Sequence, residues 1–166
     1  KNSLYSNTTG ASNTAVGKGA GDAITTGSNN VALGQGALST EDVGGRSVAV
    51  GVNALGQQNV DGDVYNVAVG HAAGNNITTG IQNTFIGGLA GDALTDADGN
   101  VALGTYALST DTLGSRAVAI GHGALLTQNF TSATNNYNVG VGHSAGRAVT
   151  TGVNNTFIGG LAGDTT

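Results

Sequence analysis

The sequence predicts an all-β chain wound as a parallel β-solenoid of nine coils, and three observations carry that prediction. A pattern of the type Asn-Val-Ala-Val-Gly recurs nine times, closing on Gly17, Gly34, Gly51, Gly70, Gly87, Gly104, Gly121, Gly142 and Gly159. An alanine stands three residues after each of these glycines, from Ala20 to Ala162. The intervals between the glycines are 17 residues, apart from one of 19 and one of 21. A fixed period of this size is the signature of one supersecondary unit per repeat.

Each motif reads as a short strand. Its residues are β-branched or small, and the flanking glycines leave no run long enough for a helix. Between motifs lie turn formers such as Thr25-Thr26-Gly27, Thr78-Thr79-Gly80 and Thr150-Thr151-Gly152. Parallel stacking at about 4.8 Å per coil gives a rod of roughly 38 Å over eight steps. A single coil buries too few aliphatic side chains to offset the entropy of ordering 17 residues, so stacking must supply the rest.

A longer period lies above the first. Asn30–Leu55 matches Asn100–Leu125 at 16 of 26 positions, and Tyr65–Asp92 matches Tyr137–Asp164 at 21 of 28. The repeat domain, expected over residues 13–166, is therefore a duplicated four-coil unit. Residues 1–12 are expected to be a lead-in from a preceding segment.

Composition narrows the function classes. There are 30 glycines but no Pro, Cys, Met or Trp, and 9% of residues are charged. Glycine without proline and without a three-residue period excludes collagen. The net charge is −5, and the five cations Lys1, Lys18, Arg46, Arg116 and Arg147 form no basic stripe, so nucleic acid is not an expected partner. No run of about 18 apolar residues occurs, so this segment is not expected to insert in a membrane.

The residue before each closing glycine is Val, Leu or Ile throughout. It is expected to face the core, together with the Val or Thr two positions earlier. The position between them then faces outward: Ala32, Ala49, Ala68, Ala102 and Ala119, with Phe85 and Phe157 in matching coils. Such a small, apolar column suits packing against another chain, with the two phenylalanines plugging the interface. The alternative is that each Phe covers a turn of its own chain.

Catalytic and metal chemistry find little purchase. His71, His122 and His143 each follow a motif glycine, but Lys18, Gln35, Val52 and Thr105 fill the same column elsewhere. Asp61-Gly62-Asp63 and Asp96-Ala97-Asp98-Gly99 place paired carboxylates on turns, without the spacing of an EF-hand or a calcium β-roll. Gly17-Lys18-Gly19-Ala20-Gly21 lacks the Gly-Lys-Ser/Thr of a phosphate loop. No cysteine and no plausible Ser, His and acid set is present, so neither an enzyme nor a cofactor is expected. The two long coils are the better binding candidates, since insertions in a solenoid emerge on one edge. They carry Gln57, Gln58, Asp61, Asp63 and Tyr65 in the first, and Gln128, Asn129, Phe130, Asn135 and Tyr137 in the second. The alternative is that both loops are tolerated decoration.

The stretch Asn30–Leu38, Asn-Val-Ala-Leu-Gly-x-x-Ala-Leu, resembles the head repeats of trimeric autotransporter adhesins of the YadA type. Asn154-Asn155-Thr156-Phe157-Ile158-Gly159 and the Thr-Thr-Gly turns look more like a related set in bacteriophage tail fibres. The resemblance runs from about Asn13 to the end. It implies a left-handed parallel β-roll assembled as a homotrimer, extracellular, and part of a phage virion or of the bacterial outer surface. The implied role is a structural and adhesive tail-fibre segment that attaches to a host cell-surface glycan or protein. The alternative is the head of a bacterial adhesin. The family's head repeat is nearer 14 residues and carries Ser where this chain has Ala, which favours the fibre. An ice-binding solenoid would need a flat array of regularly spaced threonines, and the Val/Thr column holds only Thr14, Thr84 and Thr156.

Overall fold

A computed structural model describes residues 2–164 of the chain. Residues 1, 165 and 166, which begin the expected lead-in and end the expected repeat domain, lie outside the described residues. Eleven short strands and no helix are found among the described residues. In order they are β1 (Thr14–Val16), β2 (Val31–Leu33), β3 (Val48–Val50), β4 (Val67–Val69), β5 (Thr84–Ile86), β6 (Val101–Leu103), β7 (Gly114–Ser115), β8 (Val118–Ile120), β9 (Thr134–Asn135), β10 (Val139–Val141) and β11 (Thr156–Ile158).

Nine of these strands are the nine motif repeats. They form one parallel sheet in the order β1-β2-β3-β4-β5-β6-β8-β10-β11, so each coil stacks on the one before it. The pairing is in register: Ala15 faces Ala32, Ala32 faces Ala49 and Ala68 faces Phe85. The chain is a parallel β-solenoid of nine turns, with β7 and β9 pairing separately where the second long loop returns to the rod. Stacking also begins before residue 13. Leu4 N donates to Ala20 O at 3.1 Å and Thr8 N to Thr25 O at 3.0 Å, so the lead-in already follows the 17-residue ladder.

The two faces of the sheet are the reverse of the expectation. Ala32, Ala49, Ala68, Phe85, Ala102 and Ala119 are buried inside the coils, and Phe157 packs partly buried on the same core. The six fully buried side chains form no surface that another chain could touch, and Phe157 is only partly exposed in the last coil. The Val, Leu, Ile and Thr residues on either side of them face outward. The reason is volume. The opposite arm of each coil fills the narrow interior with Leu38, Leu55, Leu108 and Leu125, or with Ile24, Ile77 and Leu94, all fully buried. Facing the leucine arm there is room for a methyl group but not for a second row of branched side chains. A larger side chain, the Phe85 ring, enters only where glycines on the opposite arm leave space.

Two coil types result. In one, the motif alanine is followed by Leu and, three residues later, by a polar residue: Leu38 and Glu41, Leu55 and Gln58, Leu108 and Asp111, Leu125 and Gln128. In the other it is followed by Gly and an aliphatic: Gly21 and Ile24, Gly74 and Ile77, Gly91 and Leu94, Gly146 and Val149. Gly74 and Gly91 clear space for the Phe85 ring, because a methyl group at either would approach it to 2.6 or 2.5 Å.

A buried asparagine ladder runs beside the sheet. Asn30 Oδ1 accepts from Ser47 N at 3.0 Å and Asn30 Nδ2 donates to Gly44 O at 2.9 Å. Asn66, Asn83, Asn100 and Asn138 repeat the donation to a carbonyl 14 residues ahead. Each amide thus satisfies backbone groups of its own and the next coil, which is what makes a buried asparagine tolerable.

Candidate functional site

The two long coils interrupt that ladder, and both are built around a buried carboxylate. Glu41 Oε1 accepts from Gly44 N at 2.7 Å, while Glu41 Oε2 accepts from Gln58 Nε2 at 2.9 Å and Val60 N at 3.3 Å. Gln58 Nε2 also donates to Ser47 Oγ at 3.0 Å, and Gln58 Oε1 accepts from Asn66 Nδ2 at 2.9 Å. The second copy repeats the design. Asp111 Oδ1 accepts from Gly114 N at 3.1 Å and Phe130 N at 2.9 Å, and its Oδ2 accepts from Gln128 Nε2 at 2.6 Å. Gln128 Oε1 in turn accepts from Asn138 Nδ2 at 2.8 Å.

This clamp corrects three expected surface contacts. Gln58, Gln128 and Phe130 are buried: the glutamines hold the carboxylates, and Phe130 lies over Gly114. A long loop leaves backbone donors at its root, and a buried acid with an amide partner satisfies them. Of the remaining expected residues, Gln57, Asp61, Asp63, Tyr65, Asn135 and Tyr137 are exposed, and Asn129 is half-buried and accepts from Thr112 Oγ1 at 3.1 Å.

Burial in the clamp pushes the Glu41 carboxyl above its ordinary value of 4.5, and the nearby Asp42 charge adds to this. The hydrogen bonds from Gln58, Gly44 and Val60 oppose the shift without cancelling it. A folded-state pKa above the unfolded one means that the folded chain binds more protons in the window above pH 4.5. Stability contributed by Glu41 is therefore full below that window and falls as pH rises through it. Thermal melts across this range should show wild type losing stability relative to Glu41→Gln as pH rises; a difference that does not change with pH would contradict this.

Above the clamps, each loop returns to the rod through a tyrosine. Tyr65 and Tyr137 have left-handed backbones, with φ of 58° and 51°. Each is covered by an arginine from the preceding coil: the Arg46 guanidinium carbon lies 5.6 Å from the Tyr65 ring centre and Arg116 lies 5.7 Å from that of Tyr137. Arg46 Nη1 donates to Tyr65 OH at 2.7 Å and pairs with Asp63 Oδ2 at 2.6 Å. These two contacts, the Tyr65 hydrogen bond first, raise the Arg46 pKa above its ordinary value. Arg116 Nη1 donates to Tyr137 OH at 2.8 Å.

The other sequence candidates are occupied by packing. Asp96 Oδ1 accepts from Thr79 Oγ1 at 2.7 Å and Asp98 Oδ1 from Ile81 N at 2.8 Å, so these acids staple neighbouring coils. His122 and His143 stack with ring centres 5.3 Å apart, and Tyr106 meets His122 edge-on. Among the described residues no group of three His, Cys, Asp or Glu side chains is placed to hold a metal.

Sequence reasoning missed Glu41, Asp111, Arg46 and Arg116. A signal for the acids existed, because they stand in the column that Ile24, Ile77 and Leu94 fill in other coils. Comparison with known proteins gives no matching family model, no matching curated protein and no matching solved structure.

Proposed function

We propose that the chain is a non-catalytic structural and adhesive segment of a homotrimeric phage tail fibre, extracellular on the virion, winding as a left-handed β-roll and attaching to a host cell surface. The observation that carries this reading is the outer face of the nine-stranded sheet. Every strand presents two aliphatic or threonine side chains there, including Val16, Val69, Ile86, Leu103 and Ile158, all exposed. No charged residue interrupts the row. Parallel sheets are ordinarily covered on both faces, and a long exposed apolar stripe marks an interaction surface.

The partner that suits this stripe is another copy of the same chain. Its rungs repeat at about 4.8 Å, and only a surface of equal rise can interdigitate along the whole rod. A rod buried along one stripe still leaves the long-loop edge to meet a glycan or protein of the host. The test is a glycan array and a bacterial cell-binding assay with the intact assembly. Binding is expected, and it should be lost when residues 57–65 and 127–137 are both replaced by the turns of regular coils. Undiminished binding in that variant would overturn the assignment of recognition to the loops.

A further inference from the structure

The two long loops are copies, but they differ at one chemically decisive place. Asp63 bridges to Gly45, the residue before Arg46. In the second copy, Asn135 pairs with Ser115, the residue before Arg116. Asp63 and Asn135 are therefore structural equivalents, each two residues before the loop tyrosine. In the first loop the carboxylate neutralises the arginine at 2.6 Å. In the second an amide stands in its place, and among the described residues no carboxylate lies within ion-pair distance of Arg116. The nearest coil's Asp98 turns its Oδ1 to Ile81 N instead.

We propose that Arg116, Tyr137 and Asn135 form a subsite for a carboxylated sugar, and that Asp63 closes the equivalent place in the first loop. The proposal deepens the surface-attachment reading above and rests on it. Arg116 is exposed and held over Tyr137, which is 48% exposed. Among the described residues only one of its five N–H groups is engaged, by the Tyr137 hydroxyl. The free side of the guanidinium is a planar fork that matches a carboxylate bidentately. The tyrosine ring offers an apolar edge beside it, and the Asn135 amide supplies both a donor and an acceptor for hydroxyl groups. Among the described residues Lys18 and Arg147 also lack an ion pair, but Arg116 alone of the three is held over an aromatic ring at the place where the first loop supplies a carboxylate. Neutral sugars have no use for an unpaired cation.

The test uses the intact chain with two acidic probes, oligogalacturonate and sialyllactose, and neutral galactose oligomers as control, read by calorimetry. At least one acidic probe should bind, more weakly as salt rises, with the neutral oligomers weaker. Arg116→Gln and Asn135→Asp should each lower that affinity roughly 10- to 100-fold, while melting temperature stays unchanged. Asp63→Asn should create a second site and double the stoichiometry per chain. If neither acidic probe outbinds the neutral control, or if Asn135→Asp leaves binding intact, the proposal fails. Host-cell or neutral-glycan binding that survives Arg116→Gln would then show that the attachment reading stands without it, whereas no surface binding of any kind would remove that reading itself.

Discussion

Gly87→Ala is expected to destabilise the stack by more than about 4 kcal/mol, in the range reserved for a severe core defect. Two effects combine. Gly87 has φ of 132°, a region that L-residues rarely enter, which costs on the order of 1–3 kcal/mol by itself. The added methyl group would also lie 2.6 Å from the carbonyl carbon of Gly104 in the next coil. That neighbour is backbone inside the ladder and cannot yield without separating the coils. Gly159→Ala provides the control. It has a similar φ of 118°, but among the described residues no atom lies within 4 Å of the place its methyl group would take. Urea unfolding should therefore show a far smaller loss for Gly159→Ala than for Gly87→Ala. Equal losses would mean that backbone strain alone, and not coil contact, makes this column glycine.

Phe85→Ala should cost about 3–5 kcal/mol, as expected when a fully buried aromatic ring is removed from a core that can collapse only partly. The ring fills space left by Gly74 and Gly91 on the two adjoining coils, so removal empties a cavity spanning both. The chain itself suggests a repair. In the other coil type, Leu38, Leu55, Leu108 and Leu125 occupy the column of Gly91 and adopt φ of 47–55° there. Gly91 has φ of 59°, so leucine can take its backbone conformation. Phe85→Ala with Gly91→Leu should recover part of the loss. Gly91→Leu alone should be destabilising, because its side chain would meet the Phe85 ring. A double-mutant cycle measured by chemical denaturation should thus show strong favourable coupling, and additive effects would contradict the packing described here.

The period, the strands and their parallel stacking were legible in the sequence because they rest on a strict repeat of glycine and alanine columns. The faces of the strands were not. Alternation shows that neighbours such as Ala68 and Val69 point to opposite faces, but it is symmetric between inside and outside. What breaks the symmetry is the opposite arm, where Leu38 or Ile77 takes the core volume, and that is a tertiary fact. The long loops were located correctly, since an extra two or four residues in a fixed period can be counted. Their interior was legible only through the column that Glu41, Gln58 and Asp111 share with Ile24, Ile77 and Leu94. Taken singly, Glu41 and Asp111 look like ordinary turn acids, and Gln58 like a surface amide, until the coil brings all of them inward together.

Sedimentation equilibrium tests most directly whether the outer Val, Leu and Ile stripe joins three copies of the chain. The chain has a mass of 16.1 kDa, and the assembly is predicted to sediment at three times that mass, whereas Ile86→Lys with Leu103→Lys should shift it to the single-chain mass while far-UV circular dichroism is retained. A wild-type chain that stays at 16.1 kDa over the whole concentration range would contradict this trimeric reading of the stripe.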